Sequence, residues 1–290
     1  MKPHDVPTGG RSGYVRLDDR QVHYLEWGGA TVPPVLALHG GGQTAYMFED
    51  LGAALAGSYH VLAPDLPMHG DSDALPGSGG PLGRHPLAGS LPPLLAEFGL
   101  ARVVIVGASL GGITAITIAA NWPELVAGIV LIDVGHRLED EGVHRIIEFM
   151  QAHESFGSLD EAAAAIADYL PHRQDVRTER LTRNLRQRED GRWVWKHGLR
   201  RGPEAAAAAA GSWRDILEGL DDDARKVDVP TLVLRGSESD VLSAQGAEEI
   251  AALLPHGRLA IVDKAGHLAA GDNPHSTVAE ITAFLTALPW

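Results

Sequence analysis

Four short apolar runs, residues 35–38, 61–63, 103–106 and 129–132, each end in a turn signal: His39-Gly40, Pro64-Asp65, Gly107 and Asp133. Patterns with helical spacing separate them, for instance over 48–55 and 94–98. Apolar runs of this length without polar alternation fit strands buried on both faces. Strands that alternate with helices build a mostly parallel sheet covered on both sides. The expected fold class is therefore α/β, a mostly parallel sheet with helices on both faces. Residues 14–17 and 22–25 flank Asp18-Asp19-Arg20 and predict an antiparallel hairpin at one sheet edge. Pro92 and Pro93 fit only the first turn of the helix they open, with Ser90 as its cap.

Beyond Asp133 the strand signal vanishes over residues 136–226. Ser158-Leu159-Asp160-Glu161 is a capping box that opens an alanine-rich helix, stopped by Pro171, and residues 204–210 are a second strong helix former. Strands return at 231–234 and 259–262, and a last helix follows over 276–285. This predicts a sheet core formed by residues 1–135 and 227–290, interrupted by a helical cap insertion over 136–226.

The 24 basic and 38 acidic side chains leave a formal charge of −14, which argues against a nucleic-acid partner. The absence of cysteine excludes disulfides, a thiol nucleophile and cysteine-ligated metal, and fits a cytoplasmic location. The first residues lack the apolar stretch of a secretory signal. The longest apolar tract, 103–120, is broken by glycines, a serine and threonines, so it reads as strand, turn and helix rather than a membrane span. The expected partner is a small-molecule substrate, with no nucleic acid and no membrane; the sequence carries no sign of oligomeric state.

Inside that tract, Gly107-Ala108-Ser109-Leu110-Gly111 sets a serine between glycines where a buried strand turns into an apolar helix. The glycine-x-serine-x-glycine pattern alone is weak; the strand before it and the helix after it give it meaning. A serine on so tight a turn projects its hydroxyl, and the helix N-terminus behind it offers backbone N–H groups to a developing negative charge. Nucleophilic acyl transfer also needs a base, an acid to orient that base, and oxyanion donors. Ser109 is the candidate nucleophile. His267, on the loop beyond the last strand, is the candidate base, placed where a parallel sheet presents its C-terminal edge. His39 and His69 have no partners at metal-ligand spacing, and neither a metal nor a cofactor is expected.

Together with His39-Gly40-Gly41-Gly42, the segments 65–72, 235–240 and 265–271 make the chain resemble the α/β-hydrolase superfamily, of the capped serine-nucleophile kind, over nearly its whole length. The resemblance implies the chain order serine, acid, histidine. It also implies an oxyanion hole made of the backbone N–H groups of Leu110 and Gly41, with Gly42 as the alternative. Two aspartates obey the order. Asp240 occupies the family's usual place after the penultimate strand and is favoured, while Asp133, at the end of the preceding strand, is the alternative. Met68 departs from the glycine common at that turn in the family. Serine at 109 departs from the aspartate that the resemblance implies for most dehalogenases and epoxide hydrolases of this fold. The expected activity is hydrolysis of a carboxylic ester, lactone, thioester or related acyl bond through a Ser109 acyl-enzyme, without cofactor. A cofactor-free perhydrolase or lyase is the enzyme alternative, and a slow-turnover ligand receptor is the alternative of another class.

Residues 173–201 carry ten basic side chains against four acidic ones. Arg173, Arg177, Arg180 and Arg183 recur at helical steps, and a solvated outer face is the default reading. The sharper one has an arginine such as Arg183 hold a substrate carboxylate or phosphate. Trp193 and Trp195 alternate like a short extended segment and are candidates either to line a substrate pocket or to anchor the insertion.

Overall fold

The computed structural model describes residues 6–75, 83–170, 177–197 and 213–290. Eight strands form one sheet: β1 (Arg11–Leu17), β2 (Arg20–Trp27), β3 (Pro34–Leu38), β4 (His60–Pro64), β5 (Val103–Ala108), β6 (Val126–Ile132), and two later strands, β9 (Thr231–Gly236) and β10 (Gly257–Val262). Their spatial order is β1-β2-β4-β3-β5-β6-β9-β10. The predicted hairpin is β1–β2, and β2 also runs antiparallel to β4. Every other neighbouring pair is parallel. β7 (Leu185–Gln187) and β8 (Trp193–Trp195) form a separate antiparallel ribbon.

Alternation along each central strand sends successive side chains to opposite faces. Leu36, Leu38, Val103, Ile105, Ile129, Leu131 and Val233 join one core, packed by the helix Leu110–Asn121. Val35, Ala37, Val104, Val106, Val130, Ile132, Leu232 and Leu234 join the other, where Phe284 and Leu285 of the helix Pro274–Ala287 pack. Both faces being covered explains why these strands read as unbroken apolar runs.

The helix Leu91–Glu97 carries its prolines in the first turn, as expected. Ser90, however, does not cap it through its side chain; that hydroxyl donates back to Leu87 O at 2.7 Å. A second helix, Arg84–Gly89, ends immediately before it and supplies that acceptor.

Between β6 and β9 the chain forms the helices Asp140–Ala152 and Leu159–Tyr169, a short helical turn Thr178–Leu181, and the β7–β8 ribbon. The serine half of the capping box forms, with Ser158 Oγ accepting from Glu161 N at 3.1 Å, while the Glu161 carboxylate reaches one residue past the cap, to Gly157 N at 2.7 Å. The helical insertion also contains this ribbon: β8 is the short extended segment read from Trp193 and Trp195, whereas its partner β7, three residues long, carries no period that a sequence reveals. Phe156, Ala162, Ile166, Leu181 and Leu185 make a small core of their own. Leu217, Leu220 and Ala224 rejoin the main core. Arg173, Pro171, Arg200, Arg201 and the alanine run 204–210 lie outside the described residues.

Candidate active site

The sheet ladder brings the candidate residues to one edge. Ala108 pairs with Ile132 and Ile132 with Leu234, so the residues that follow them, Ser109 and Asp133, leave neighbouring strands side by side. Ser109 N donates to Ile132 O at 3.1 Å, and Asp133 N donates to Leu234 O at 2.7 Å.

Ser109 sits at φ 47°, ψ −114°, a strained conformation for a side-chain-bearing residue. The flanking glycines make that turn possible. A Cβ at Gly107 would collide with the Gly111 carbonyl, and one at Gly111 would collide with Leu38 O. The Ser109 side chain is half-buried. Leu110, also half-buried, opens the helix behind it.

The His39–Gly42 loop lies over this turn: a Cβ on Gly40 would stand 3.4 Å from Ser109 Cβ. Gly41 is exposed with open space about its Cα, so a ligand atom can approach its backbone. Gly42 has φ +73°, and its Cα side faces Met150 and His197 of the insertion. His39 is fully buried and braces the loop. Its Nδ1 donates to Gly40 O at 2.8 Å and its Nε2 accepts from Leu66 N at 2.9 Å. Burial first, and then His69 nearby, push the His39 imidazole down to about 4. It is thus a neutral structural group at pH 7.

His267 lies on the loop after β10, as the sequence implied, and is mostly buried at 11 % side-chain exposure. Its Nδ1 donates to Asp133 Oδ2 at 2.8 Å. Asp133 is fully buried, and its other oxygen accepts from Gly236 N at 3.1 Å. The preference for Asp240 as the partner of this histidine is therefore corrected. Asp240 is exposed and ion-paired with Arg145 of the helix Asp140–Ala152. The reason is register. β9 ends at Gly236, beside Asp133, and Ser239 N closes a tight turn onto Gly236 O that carries residue 240 outward.

Asp65 and Asp71 brace the turn after β4. Asp65 accepts from Ala45 N, from Asp71 N and from His23 Nδ1, at 2.7, 2.9 and 2.6 Å. Burial, the largest single influence, would raise the Asp65 carboxyl; the His23 hydrogen bond, the charge interactions with His23 and His39 and the bond from Ala45 N together outweigh it and hold the group below its ordinary value. His23, Asp65 and Asp71 bring three donor atoms within 4.8 Å of one another, but these atoms are engaged with protein partners, Asp71 with Lys196 at 3.2 Å. Met68 stands in the same turn at φ +66°, a conformation that the glycine expected there adopts without strain.

Arg183 takes a third role, neither a solvated face nor a substrate contact, while the two tryptophans take the anchoring one of their two expected roles. Arg183 is ion-paired with the buried Glu49 and lies 4.9 Å above the Tyr46 ring, so it fastens the insertion to the core instead of presenting a free cation to substrate. Of the arginine series, Arg180 alone falls in a described helix, and it pairs with Asp50 through two bonds of 3.0 and 3.1 Å. Trp193 and Trp195 anchor the insertion's own core. Trp195 sets its edge against Phe156 at 5.6 Å and donates to His153 O at 2.9 Å, while Trp193 N donates to Phe156 O at 2.8 Å. Met150 escaped the sequence reading because one residue on an amphipathic helix carries no sign of the loop it will cover.

Residues 33–274 match the model of the α/β-hydrolase fold family. An esterase of Mycobacterium tuberculosis is 31 % identical over 275 residues, spanning 91 % of this chain and 86 % of that protein. A 2-(acetamidomethylene)succinate hydrolase of Mesorhizobium japonicum is 30 % identical over 258 residues, 88 % of each chain. A crystal structure of an α/β hydrolase from Novosphingobium aromaticivorans superposes with a TM-score of 0.79 at 30 % identity, covering 96 % of this chain and 98 % of that one. Sheet order, strand-to-helix serine turn and these relatives agree: the chain belongs to the α/β-hydrolase family and is a hydrolase.

Proposed function

We propose that the protein hydrolyses a carboxylic ester or related acyl bond through an acyl-enzyme on Ser109, with His267 as base and Asp133 as the acid that orients it. The observation that carries this reading is the 2.8 Å bond from His267 Nδ1 to the buried Asp133, one strand away from Ser109. With Nδ1 committed to the carboxylate, Nε2 is the ring nitrogen that takes a proton. Ser109 Oγ attacks the carbonyl carbon as its proton passes to Nε2. The N–H groups of Leu110 and Gly41 receive the oxyanion, and the imidazolium returns the proton to the leaving oxygen. Water then repeats the sequence on the acyl-enzyme and releases the acid. The segment between β6 and β9, residues 136–226, is the cap under which the acyl group enters. The esterase relative supports an ester as substrate.

The test is turnover of p-nitrophenyl acyl esters by the wild type and by Ser109→Ala. Loss of kcat on the order of 10⁴-fold or more is expected. Hydrolysis that survives intact in the variant overturns the mechanism. A single burst without turnover in the wild type overturns the enzyme reading in favour of a receptor.

A further inference from the structure

We propose that Ser239 is a positioning residue for the acid of this site: its hydroxyl fixes the rotation of the Asp133 carboxylate that in turn aims His267. The proposal rests on the reading of Asp133 and His267 as acid and base. The loop after β9 is the place where the family's usual acid stands, and here Asp240 has turned outward to Arg145. The preceding residue instead turns inward. Ser239 Oγ lies 2.5 Å from Asp133 Oδ2, the same oxygen that receives His267 Nδ1.

The direction of that hydrogen bond follows from donor counting. A serine hydroxyl has one proton and two lone pairs. Val241 N and Leu242 N both donate to Ser239 Oγ, at 3.2 and 3.1 Å, so its acceptor capacity is used and its proton is left for Asp133. The carboxylate, itself fully buried, thereby has Oδ1 held by Gly236 N and Oδ2 held by two donors. Without Ser239, rotation about Cβ–Cγ would be opposed on the Oδ2 side by His267 alone. A buried carboxylate that loses a donor is also a poorer host for charge. The loop that no longer supplies the acid thus supplies the hydroxyl that orients it.

The experiment compares Ser239→Ala, Ser239→Thr, Ser237→Ala and Asp133→Asn in the full chain. It reads kcat and KM on a p-nitrophenyl ester and the far-downfield proton resonance of His267 Nδ1. In Ser239→Ala, kcat is expected to fall about tenfold while KM stays within about twofold, and the downfield resonance is expected to move. Threonine keeps a hydroxyl and is expected to restore both. Ser237, on the same loop as Ser239, accepts from Lys264 N of the His267 loop at 2.9 Å, so Ser237→Ala perturbs the join between the two loops without touching Asp133, and its loss of kcat is expected to stay well below that of Ser239→Ala. If Ser239→Ala does not fold, Ser239→Cys, a weaker donor of similar shape, replaces it. An unmoved resonance with kcat within about twofold of wild type overturns the proposal, as does an equal loss in Ser237→Ala. Retained kcat in Asp133→Asn defeats the acid assignment itself. A collapse there beside a silent Ser239→Ala defeats the Ser239 proposal alone.

Discussion

The strand ends and the cap are held by different forces. Ser109, Asp133 and the loop bearing His267 are placed by backbone register across β5, β6, β9 and β10, reinforced by bonds such as Ser237 N to Val262 O at 2.9 Å and Glu238 N to Ala265 O at 2.9 Å. The cap is fastened mainly through side chains. Arg183 meets Glu49, Arg180 meets Asp50, Lys196 meets Asp71, and Thr44 Oγ1 donates to Asn184 Oδ1 at 3.0 Å. A ladder of backbone bonds survives the loss of any one side chain, whereas an ion pair does not. Chemistry and access are therefore separable by mutation: changes at the strand ends act on kcat, and changes at the seam act on how firmly the cap closes.

The largest contrast is expected between two aspartates. Asp133→Asn leaves His267 without its carboxylate and favours the wrong tautomer, so kcat falls on the order of 10⁴-fold. Asp240→Asn removes only the surface link to Arg145, a cap fastening, and kcat stays within about twofold, since exposed pairs contribute little. Steady-state kinetics on both variants decide it. The reverse order of losses breaks the distinction between strand ends and seam.

At the seam, Arg183→Met keeps a side chain over Tyr46 but removes the charge opposite Glu49, whose side chain is 2 % exposed. Thr8 still donates to Glu49 Oε1 through its N and its hydroxyl, at 2.7 and 2.9 Å. Removing one member of a buried pair typically costs about 3 kcal/mol. The loss is expected to fall on the cap. Amide exchange accelerates in the helices Asp140–Ala152 and Leu159–Tyr169 and in β7–β8, with β3, β5 and β6 unchanged and KM raised more than kcat is lowered. Exchange that accelerates equally in the central strands joins the two regions into one cooperative unit.

The same division governs what could be read from the sequence. The central strands announce themselves because both of their faces are buried, so Val103, Val104, Ile105 and Val106 appear in a row with a turn at the end. Ser109 and His267 are legible because they occupy turns at such ends. Chain order does not separate Asp133 from Asp240, and the resemblance favours Asp240. Only the register of β6 against β9, which no linear pattern encodes, sets Gly236 N beside Asp133 and turns Asp240 away. The cap is less legible still. Arg183 and Arg180 look like a solvated or substrate-facing stripe until Glu49 and Asp50, more than 100 residues earlier, are brought against them. Trp193 and Trp195 read as an extended segment, but only their contacts with Phe156 and His153 choose anchoring over lining a pocket.

Acid and salt separate the two regions further. High salt weakens the half-exposed Arg180–Asp50 pair of the seam and leaves a buried neutral group untouched. Acid acts on His39 in the core. In the unfolded chain that imidazole protonates near its ordinary value of 6.5, and in the fold it resists to about 4 because burial and His69 oppose the charge. Its contribution to stability is thus fully present above pH 6.5 and is lost as the pH falls towards 4. A proton on Nε2 would also remove the acceptor of Leu66 N. Linkage puts the loss between pH 7 and pH 5 at about 2 kcal/mol, and His69, lowered by burial too, adds in the same sense. Urea denaturation at the two pH values is expected to show this drop in the wild type and a drop smaller by about 2 kcal/mol in His39→Gln, which does not titrate. Equal drops in the two proteins would place the acid sensitivity outside the His39–Gly42 loop and remove the chemical distinction between a core that buries neutral imidazoles and a seam that pairs charged groups.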